Sequence, residues 1–360
     1  MGDLLTNTRL TVRLDAVVAN YRHVQATLGP VPAGAAVKAD AYGLGIAPVA
    51  TALAGAGCRE FFVASVEEGI ELRSFLPAAT INVFNGAMPG TEVDLIAHDL
   101  VPLIVSHEQL VGWVQASDGR RLPAGLHFDT GMNRTGIPAT EVDDIAALVE
   151  GINVRHVLSH LASSADPESP QSEEQLARFR ALRLRFPMGV ASLANSGGIF
   201  RSSDFHFGLA RPGIALYGGT PQAGSDNPMR QTVVLEAPIV QLRDIEPGER
   251  VGYNATFEVT APSRHAVVPV GYADGFLRSE SNSGMMSVGG HAAPVVGRVS
   301  MDLTVIDVTQ VPAQHLALGA PVELIGDHCP IDDVAAAGDT IAYEMLTSLG
   351  RRYDRVYVGD

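Results

Sequence analysis

Short runs of β-branched and apolar residues recur through the first 218 positions, separated by stretches long enough to hold a helix. Parallel strands joined by helical crossovers produce this alternation, because the chain must cross back over the sheet before pairing again in the same direction. Eight such runs are present: AAVKAD at 35–40, FFVAS at 61–65, INVFNG at 81–86, VPLIVS at 101–106, GLHFDT at 125–130, VRHVLSH at 154–160, VASLANS at 190–196, and a last one between Phe205 and Tyr217. Between the sixth and seventh, Leu176, Phe179, Leu182 and Phe186 recur at helical spacing, which predicts a helix over 172–186. Eight strand–helix units predict an α/β fold of the (β/α)8, or TIM-barrel, type. A doubly wound open sheet has the same periodicity and stays open as the alternative.

After Tyr217 the texture changes. Residues 218–228 (GGTPQAGSDNP) carry the Gly, Pro and small polar residues of a connecting segment. Beyond Met229, TVVLEAPIVQL, RHAVVPVGY, APVVGRVSMDLTVIDV and PVELIG read as strands, and helical spacing returns only at 331–337 and 341–349. The expected division is a barrel over 11–228 and a C-terminal, mainly-β domain over 229–360, with residues 1–10 packing against the latter. The length of 360 residues agrees, since single cores usually stop growing at about 250–300 residues.

Composition narrows the partners. A formal net charge of −15, with no Lys/Arg cluster to override it, excludes non-specific attraction to nucleic-acid phosphates and favours small molecules. No run approaches the roughly 20 apolar residues of a membrane-spanning helix. Cys58 and Cys329 are too few and too far apart for a disulfide framework or a paired metal-ligand spacing, so no metal site is expected. Residues 1–10 lack a basic segment followed by an apolar stretch, which makes the cytoplasm the expected location.

Barrel enzymes carry their chemistry at the C-terminal ends of the strands and in the loops that follow. By that rule Lys38 ends the first strand, Arg134 lies in the loop after the fifth, His160 ends the sixth, Asn195 and Ser196 end the seventh, and Arg211 and Gly213 lie in the eighth. A lysine within an apolar run is costly to keep charged and tends to lose its proton, and a neutral amine is what a Schiff base requires. Alone, Lys38 could equally be paired with an acid or reach to the barrel mouth. Ser196, Gly197, Gly198 and Gly213 add a hydroxyl and unhindered N–H groups where barrels often bind phosphate.

Seven motifs then fall in order: VKADAYGLG at 37–45, DTGMNRTG at 129–136, ANSGG at 194–198, ARPGIALYG at 210–218, GYNATF at 252–257, GYADG at 271–275 and GRVSMD at 297–302. Together they resemble the alanine racemase family over nearly the whole chain. The resemblance implies pyridoxal 5'-phosphate held covalently by Lys38, with Tyr42, Ser196, Gly213 and Ile214 on the phosphate and Arg211 facing the pyridine nitrogen. Arg134, His160 and Asn195 are implied around the cofactor, and Arg134 and the Met301 backbone on the substrate carboxylate. Racemisation needs a base on each face of a planar carbon. The resemblance implies Lys38 for D-alanine and Tyr253 for L-alanine, with Tyr272 and Asp302 at the entrance. It also implies a head-to-tail homodimer in which Tyr253, Tyr272 and Met301 serve the neighbouring subunit. As plain sequence, Tyr253 reads as a strand tyrosine, Met301 as core and Asp302 as a turn residue.

Two positions depart from the family pattern. His127 stands where many members have a carbamylated lysine that braces the carboxylate-binding arginine, so the orientation of Arg134 needs another support. Arg351, with Tyr353 nearby, stands where a phosphate-contacting tyrosine is expected after Tyr343 and Glu344. A broad-specificity amino-acid racemase acting on serine or larger substrates is the nearest rival, and a non-catalytic pyridoxal-phosphate carrier is the rival from another class.

Overall fold

The computed structural model describes residues 4–359; of the segment 1–10, the first three residues lie outside it. The chain divides into two compact units. One comprises residues 17–216 and 220–229. The other comprises the segment up to Ala16, Tyr217–Gly219, and the chain from Arg230 onward.

In the described residues, strand β1 (Arg9–Arg13) precedes the first unit, whose sheet is built from β2 (Ala35–Ala36), β3 (Glu60–Val63), β4 (Thr80–Val83), β5 (Leu100–Ile104), β6 (Pro123–His127), β7 (Asn153–Leu158) and β8 (Val190–Ser192). Each pairs in parallel with the next in sequence order. Covered on both faces, such strands carry continuous apolar runs; all five residues of β5 are buried. The eighth run is not a regular strand. Its 208–212 segment is extended all the same: Gly208 N–H donates to Ala191 O (3.0 Å) and Arg211 N–H to Ala194 O (2.9 Å) on the β8 side. Ala210 N–H donates to Pro32 O (3.1 Å), Gly34 N–H to Ala210 O (2.9 Å) and Ala36 N–H to Pro212 O (3.0 Å) on the β2 side. These bonds close the barrel, and Pro212, which has no N–H, limits the ladder to this sparse pattern.

Side-chain caps fix several loops at the strand C-termini. Ser65 accepts from Glu68 N–H at the start of helix Val66–Phe75, Ser106 from Gln109 N–H at His107–Ala116, and Asn195 from Gly198 N–H at Ser196–Arg201. Each satisfies a donor that has no intrahelical acceptor. The helix expected over 172–186 runs from Gln171 to Arg185.

The second unit is mainly β. Its strands are β9 (Val233–Pro238), β10 (Gln241–Ile245), β11 (Arg250–Val251), β12 (Phe257–Glu258), β13 (Ser263–Val268), β14 (Met285–Val288), β15 (His291–Pro294), β16 (Thr304–Asp307), β17 (Pro321–Ile325) and β18 (Asp354–Val358). A six-stranded sheet has the order β15-β14-β17-β9-β1-β18, and β10-β13-β16 form a second. Strand β1 pairs in parallel with β18 and antiparallel with β9, so chain start and chain end share one sheet. The run expected as one strand over 293–308 is broken. Gly297 takes φ +80°, and 295–303 form a loop between β15 and β16.

One buried carboxyl in this unit lacks compensation. Glu280 is fully buried and neither oxygen has a hydrogen-bond partner. A Cβ at Gly284 or Gly338 would come within 2.6 or 2.8 Å of those oxygens, so the slot is glycine-lined. Burial pushes this carboxyl up from 4.5 to about 7. With the folded value above the unfolded one, no stability is lost below about pH 4.5, and the loss is complete once pH exceeds about 7. Glu280→Gln is expected to gain roughly 2–3 kcal/mol relative to the parent between pH 5 and pH 8. Urea unfolding at both pH values reads this difference; one that does not change with pH would show that the buried carboxyl titrates normally.

Candidate active site

The barrel rim begins with an unusual backbone. Strand β2 stops at Ala36, two residues earlier than the apolar run implies, although Val37 N–H still donates to Phe62 O (2.9 Å). Lys38 therefore sits in the turn after the strand, not in it. The next four residues, Ala39, Asp40, Ala41 and Tyr42, have φ of 53, 54, 52 and 57°. They form a left-handed turn closed by Ala41 N–H to Val37 O (2.9 Å), Gly43 N–H to Ala39 O (2.7 Å) and Gly45 N–H to Asp40 O (2.9 Å). Only glycine adopts this region freely, and for other residues it costs roughly 1–2 kcal/mol each. Asp40 Oδ1 also accepts from Ile46 N–H (2.7 Å).

Lys38 lies partly buried, its Nζ 5.8 Å from the Phe84 ring centroid. Burial, helped by the Arg134 guanidinium, lowers its ammonium pKa, and Glu68 opposes the shift. Arg134 is exposed in the loop after β6 and follows Asn133, itself left-handed at φ 54°. Asp129 shapes that loop. One of its oxygens accepts the N–H groups of Gly131, Met132 and Asn133 at 2.8, 2.9 and 3.2 Å.

Arg211 is buried without a carboxylate partner. It donates through one terminal nitrogen to Ser192 Oγ and through the other to Ser159 O (2.6 Å), while its Nε has no acceptor. Burial lowers its pKa to about 10. Two imidazoles adjoin this charge. His127, at the end of β6, is held at about 3 by burial and by Arg211 and Arg134, and its Nδ1 is unpaired. His160, after β7, lies well below the ordinary histidine value through burial, Arg211, His127, Arg134 and Lys38. Both are neutral at pH 7.

A second cluster lies beside the first. Ser196 Oγ accepts from Gly213 N–H (3.0 Å) and Ala215 N–H (3.2 Å). A Cβ at position 213 would collide with the Tyr42 hydroxyl, so glycine is what lets that hydroxyl reach the turn before Ile214. Asn195 Oδ1 accepts from Gly198 N–H (3.1 Å) and Ser164 Oγ (2.6 Å). The structure thus gathers Lys38, Tyr42, Arg134, His160, Asn195, Ser196, Arg211, Gly213 and Ile214 in linked clusters on the barrel unit.

The arrangement fits a group bearing several negative charges and an aromatic nitrogen. Lys38, Arg134 and Arg211 converge, while Asp129 and Glu68 are committed to backbone N–H groups. The buried Arg211 Nε is a donor with nothing to donate to. The hydroxyls of Ser196 and Tyr42, gathered beside the 213–215 turn, suit a phosphate. Residues 12–221 match the family model described as alanine racemase, N-terminal domain, and residues 232–357 match its C-terminal domain.

The chain belongs to the alanine racemase family. It is 46% identical to the alanine racemase of Rhizobium meliloti (strain 1021), over 99% of this chain and 98% of that protein. It is 45% identical to that of Methylobacterium nodulans, over 97% and 96%. Among solved structures, the alanine racemase from Bartonella henselae with covalently bound pyridoxal phosphate superposes with a TM-score of 0.94, 38% identity, and coverage of 98% of this chain and 100% of that one. The biosynthetic alanine racemase from Pseudomonas aeruginosa gives 0.93, 33%, and coverage of 98% and 99%. As a member of the alanine racemase family the chain is an isomerase.

The other motif residues lie on the β unit. Tyr253 opens a short turn and is 69% exposed, with Asn254 and Ala255 left-handed behind it. Tyr272 is 43% and Met301 53% exposed. Their loops are tied by Tyr272 N–H to Ser300 O (3.1 Å) and Ala273 N–H to Met301 O (3.0 Å). Sequence reasoning missed the residue that clamps them. Arg352 donates to Asp274 Oδ1 (2.6 Å) and to Asp302 Oδ1 (2.8 Å). Asp274, buried, also accepts Gly271 N–H (3.0 Å). Of the two residues near the position expected for a phosphate-contacting tyrosine, Tyr353 has a buried hydroxyl that donates to the Asp274 carbonyl, and Arg351 is exposed. Nothing in the pattern around Arg352 set it apart from the arginines beside it.

Neutral buried histidines make stability fall with acid. His127 binds a proton near 6.5 when unfolded and near 3 when folded, so its contribution is present above pH 6.5 and is lost as pH falls towards 3. Between pH 7 and pH 5 the parent is expected to lose about 2 kcal/mol more than His127→Gln, measured by urea unfolding. Equal losses would mean that His127 titrates like a free imidazole.

Proposed function

We propose that this chain, an isomerase of the alanine racemase family, interconverts L- and D-alanine with pyridoxal 5'-phosphate, using Lys38 and Tyr253 as its two bases. The observation that carries the reading is the barrel-rim cluster of Lys38, Arg134 and Arg211, neutral imidazoles beside it and no carboxylate to spare. The cofactor, when bound, supplies an electron-withdrawing system that makes the Cα proton of the amino acid labile.

Each residue's part follows from its own chemistry. Lys38 is pushed towards the neutral amine by burial and Arg134, which lets it attach the cofactor and accept a proton. Ser196 Oγ already accepts two N–H groups, so its own proton points to an outside acceptor; with Tyr42, Gly213 and Ile214 it holds the phosphate. Asn195 stiffens this cradle from the helix cap. Arg211, whose Nε has no acceptor, would face the pyridine nitrogen of the cofactor and, having only donors, would leave that nitrogen unprotonated. His160, neutral and beside Arg211, supports that arrangement. Arg134 and the Met301 backbone bind the substrate carboxylate.

Lys38 reaches one face of the substrate, so the opposite proton needs a second base. Tyr253 takes it, from a second copy of the chain in a head-to-tail homodimer. Tyr253, Tyr272 and Met301 are exposed side chains on the β unit, which leaves them free to serve the site of a partner subunit. Tyr272 and Asp302 line the entrance. Among the described residues no helix is long and apolar enough to cross a membrane. We place the activity in the cytoplasm, where it supplies D-alanine for peptidoglycan precursors.

The test is Cα proton exchange in D2O with cofactor-loaded protein, followed by chiral product analysis. The parent is expected to exchange both enantiomers and form D-alanine. Tyr253→Phe should lose exchange from L-alanine by roughly 100-fold or more. A parent that binds cofactor but exchanges neither enantiomer is a carrier, and equal turnover of L-serine or L-lysine makes it a broad-specificity racemase.

A further inference from the structure

Every helical turn leaves its first N–H groups without an internal acceptor, and a side chain beside the turn usually supplies one. The left-handed turn after Lys38 has no such local cap: Val37 precedes it and offers no side-chain acceptor. The acceptor comes from another part of the barrel. Glu68 Oε1 accepts Ala39 N–H at 2.7 Å, and Oε2 accepts Ala64 N–H, just after β3, also at 2.7 Å. Its own N–H is held by Ser65 Oγ at 3.4 Å, which anchors it in the first turn of helix Val66–Phe75.

We propose that Glu68 is a positioning residue for Lys38, its carboxylate holding the left-handed turn by the Ala39 N–H and fixing that turn to the end of β3 by the Ala64 N–H. This rests on Lys38 serving as the D-alanine base. A right-handed turn is the relaxed state for Ala39, Asp40, Ala41 and Tyr42, and relaxation towards it would loosen the backbone that adjoins Lys38. Both carboxylate oxygens face N–H donors, so an amide cannot replace the acid. One end of a glutamine would set its NH2 against a donor. The charge acts as well, because Glu68 favours the protonated form of Lys38 against burial and Arg134.

The experiment compares the parent, Glu68→Gln and Glu68→Ala, all loaded with pyridoxal 5'-phosphate and checked for folding by circular dichroism. Three readouts are taken: hydride-trapped cofactor on the Lys38 peptide, Cα exchange of each alanine enantiomer in D2O, and the pH profile of kcat/KM for D-alanine. In both variants D-alanine exchange should fall roughly tenfold or more, with L-alanine exchange much less affected. Trapping at Lys38 should weaken, and in Glu68→Gln the lysine-dependent limb should move to lower pH. Equal losses for both enantiomers with trapping and pH profile unchanged would overturn the proposal, as would no loss at all. Glu68→Gln differs from the parent by one atom, so its unfolding would overturn it too, by making Glu68 a stability residue. A parent that traps cofactor at Lys38 yet exchanges neither enantiomer would instead defeat the racemase reading, and this inference with it.

Discussion

The backbone immediately after Lys38 is the constraint from which the barrel rim follows. Four consecutive L-residues in the left-handed region stand about 4–8 kcal/mol above a relaxed turn, a large amount beside the roughly 5–15 kcal/mol that usually separates folded from unfolded chains. Such a conformation survives only where its surroundings leave no alternative. Here the surroundings are identifiable: internal hydrogen bonds to Val37, Ala39 and Asp40, the Asp40 carboxylate on Ile46, and Glu68 from the first turn of helix Val66–Phe75. The turn also carries Tyr42 to Gly213, so one strained segment delivers the amine to one cluster and a hydroxyl to the other.

Strain of this kind recurs at the other motif residues. Asn133 precedes Arg134, and Asn254 and Ala255 follow Tyr253, all with positive φ. In each case the backbone departs from its preferred region beside a side chain to which a role in binding or proton transfer is assigned. Asn carries the smaller penalty because its side chain can bond locally, but Ala has no such relief. Ala39, Ala41 and Ala255 therefore mark places where tertiary structure overrides local preference.

Electrostatics adds a second requirement. A buried guanidinium normally demands a carboxylate, yet Arg211 is met only by a hydroxyl and a carbonyl, both from neighbouring strand ends. The nearby acids are turned to the backbone instead, where they shape loops. Positive potential is thereby left for a ligand to neutralise, at the cost of two imidazoles held unprotonated at neutral pH. On the β unit the opposite solution appears: Arg352 and Asp274 pair at 2.6 Å and brace the loops of Tyr272 and Met301.

Much of this was legible along the chain. Apolar runs at regular intervals marked seven of the parallel strands, and ordered motifs pointed to the residues of the rim, but a doubly wound open sheet shares that periodicity, so the strand order came only from the pairing. What tertiary structure decided were the relations between distant segments. It stopped β2 at Ala36, reduced the eighth strand to a sparsely bonded segment, broke the 293–308 run at Gly297, joined β1 to β18, and turned Tyr353 inward. It also brought Glu68 to Ala39 and Arg352 to Asp274 and Asp302. The physical reason is the same in each case: periodicity reports which face of an element is buried, whereas strain, charge pairing and hydrogen-bond satisfaction depend on partners that sequence distance does not reveal.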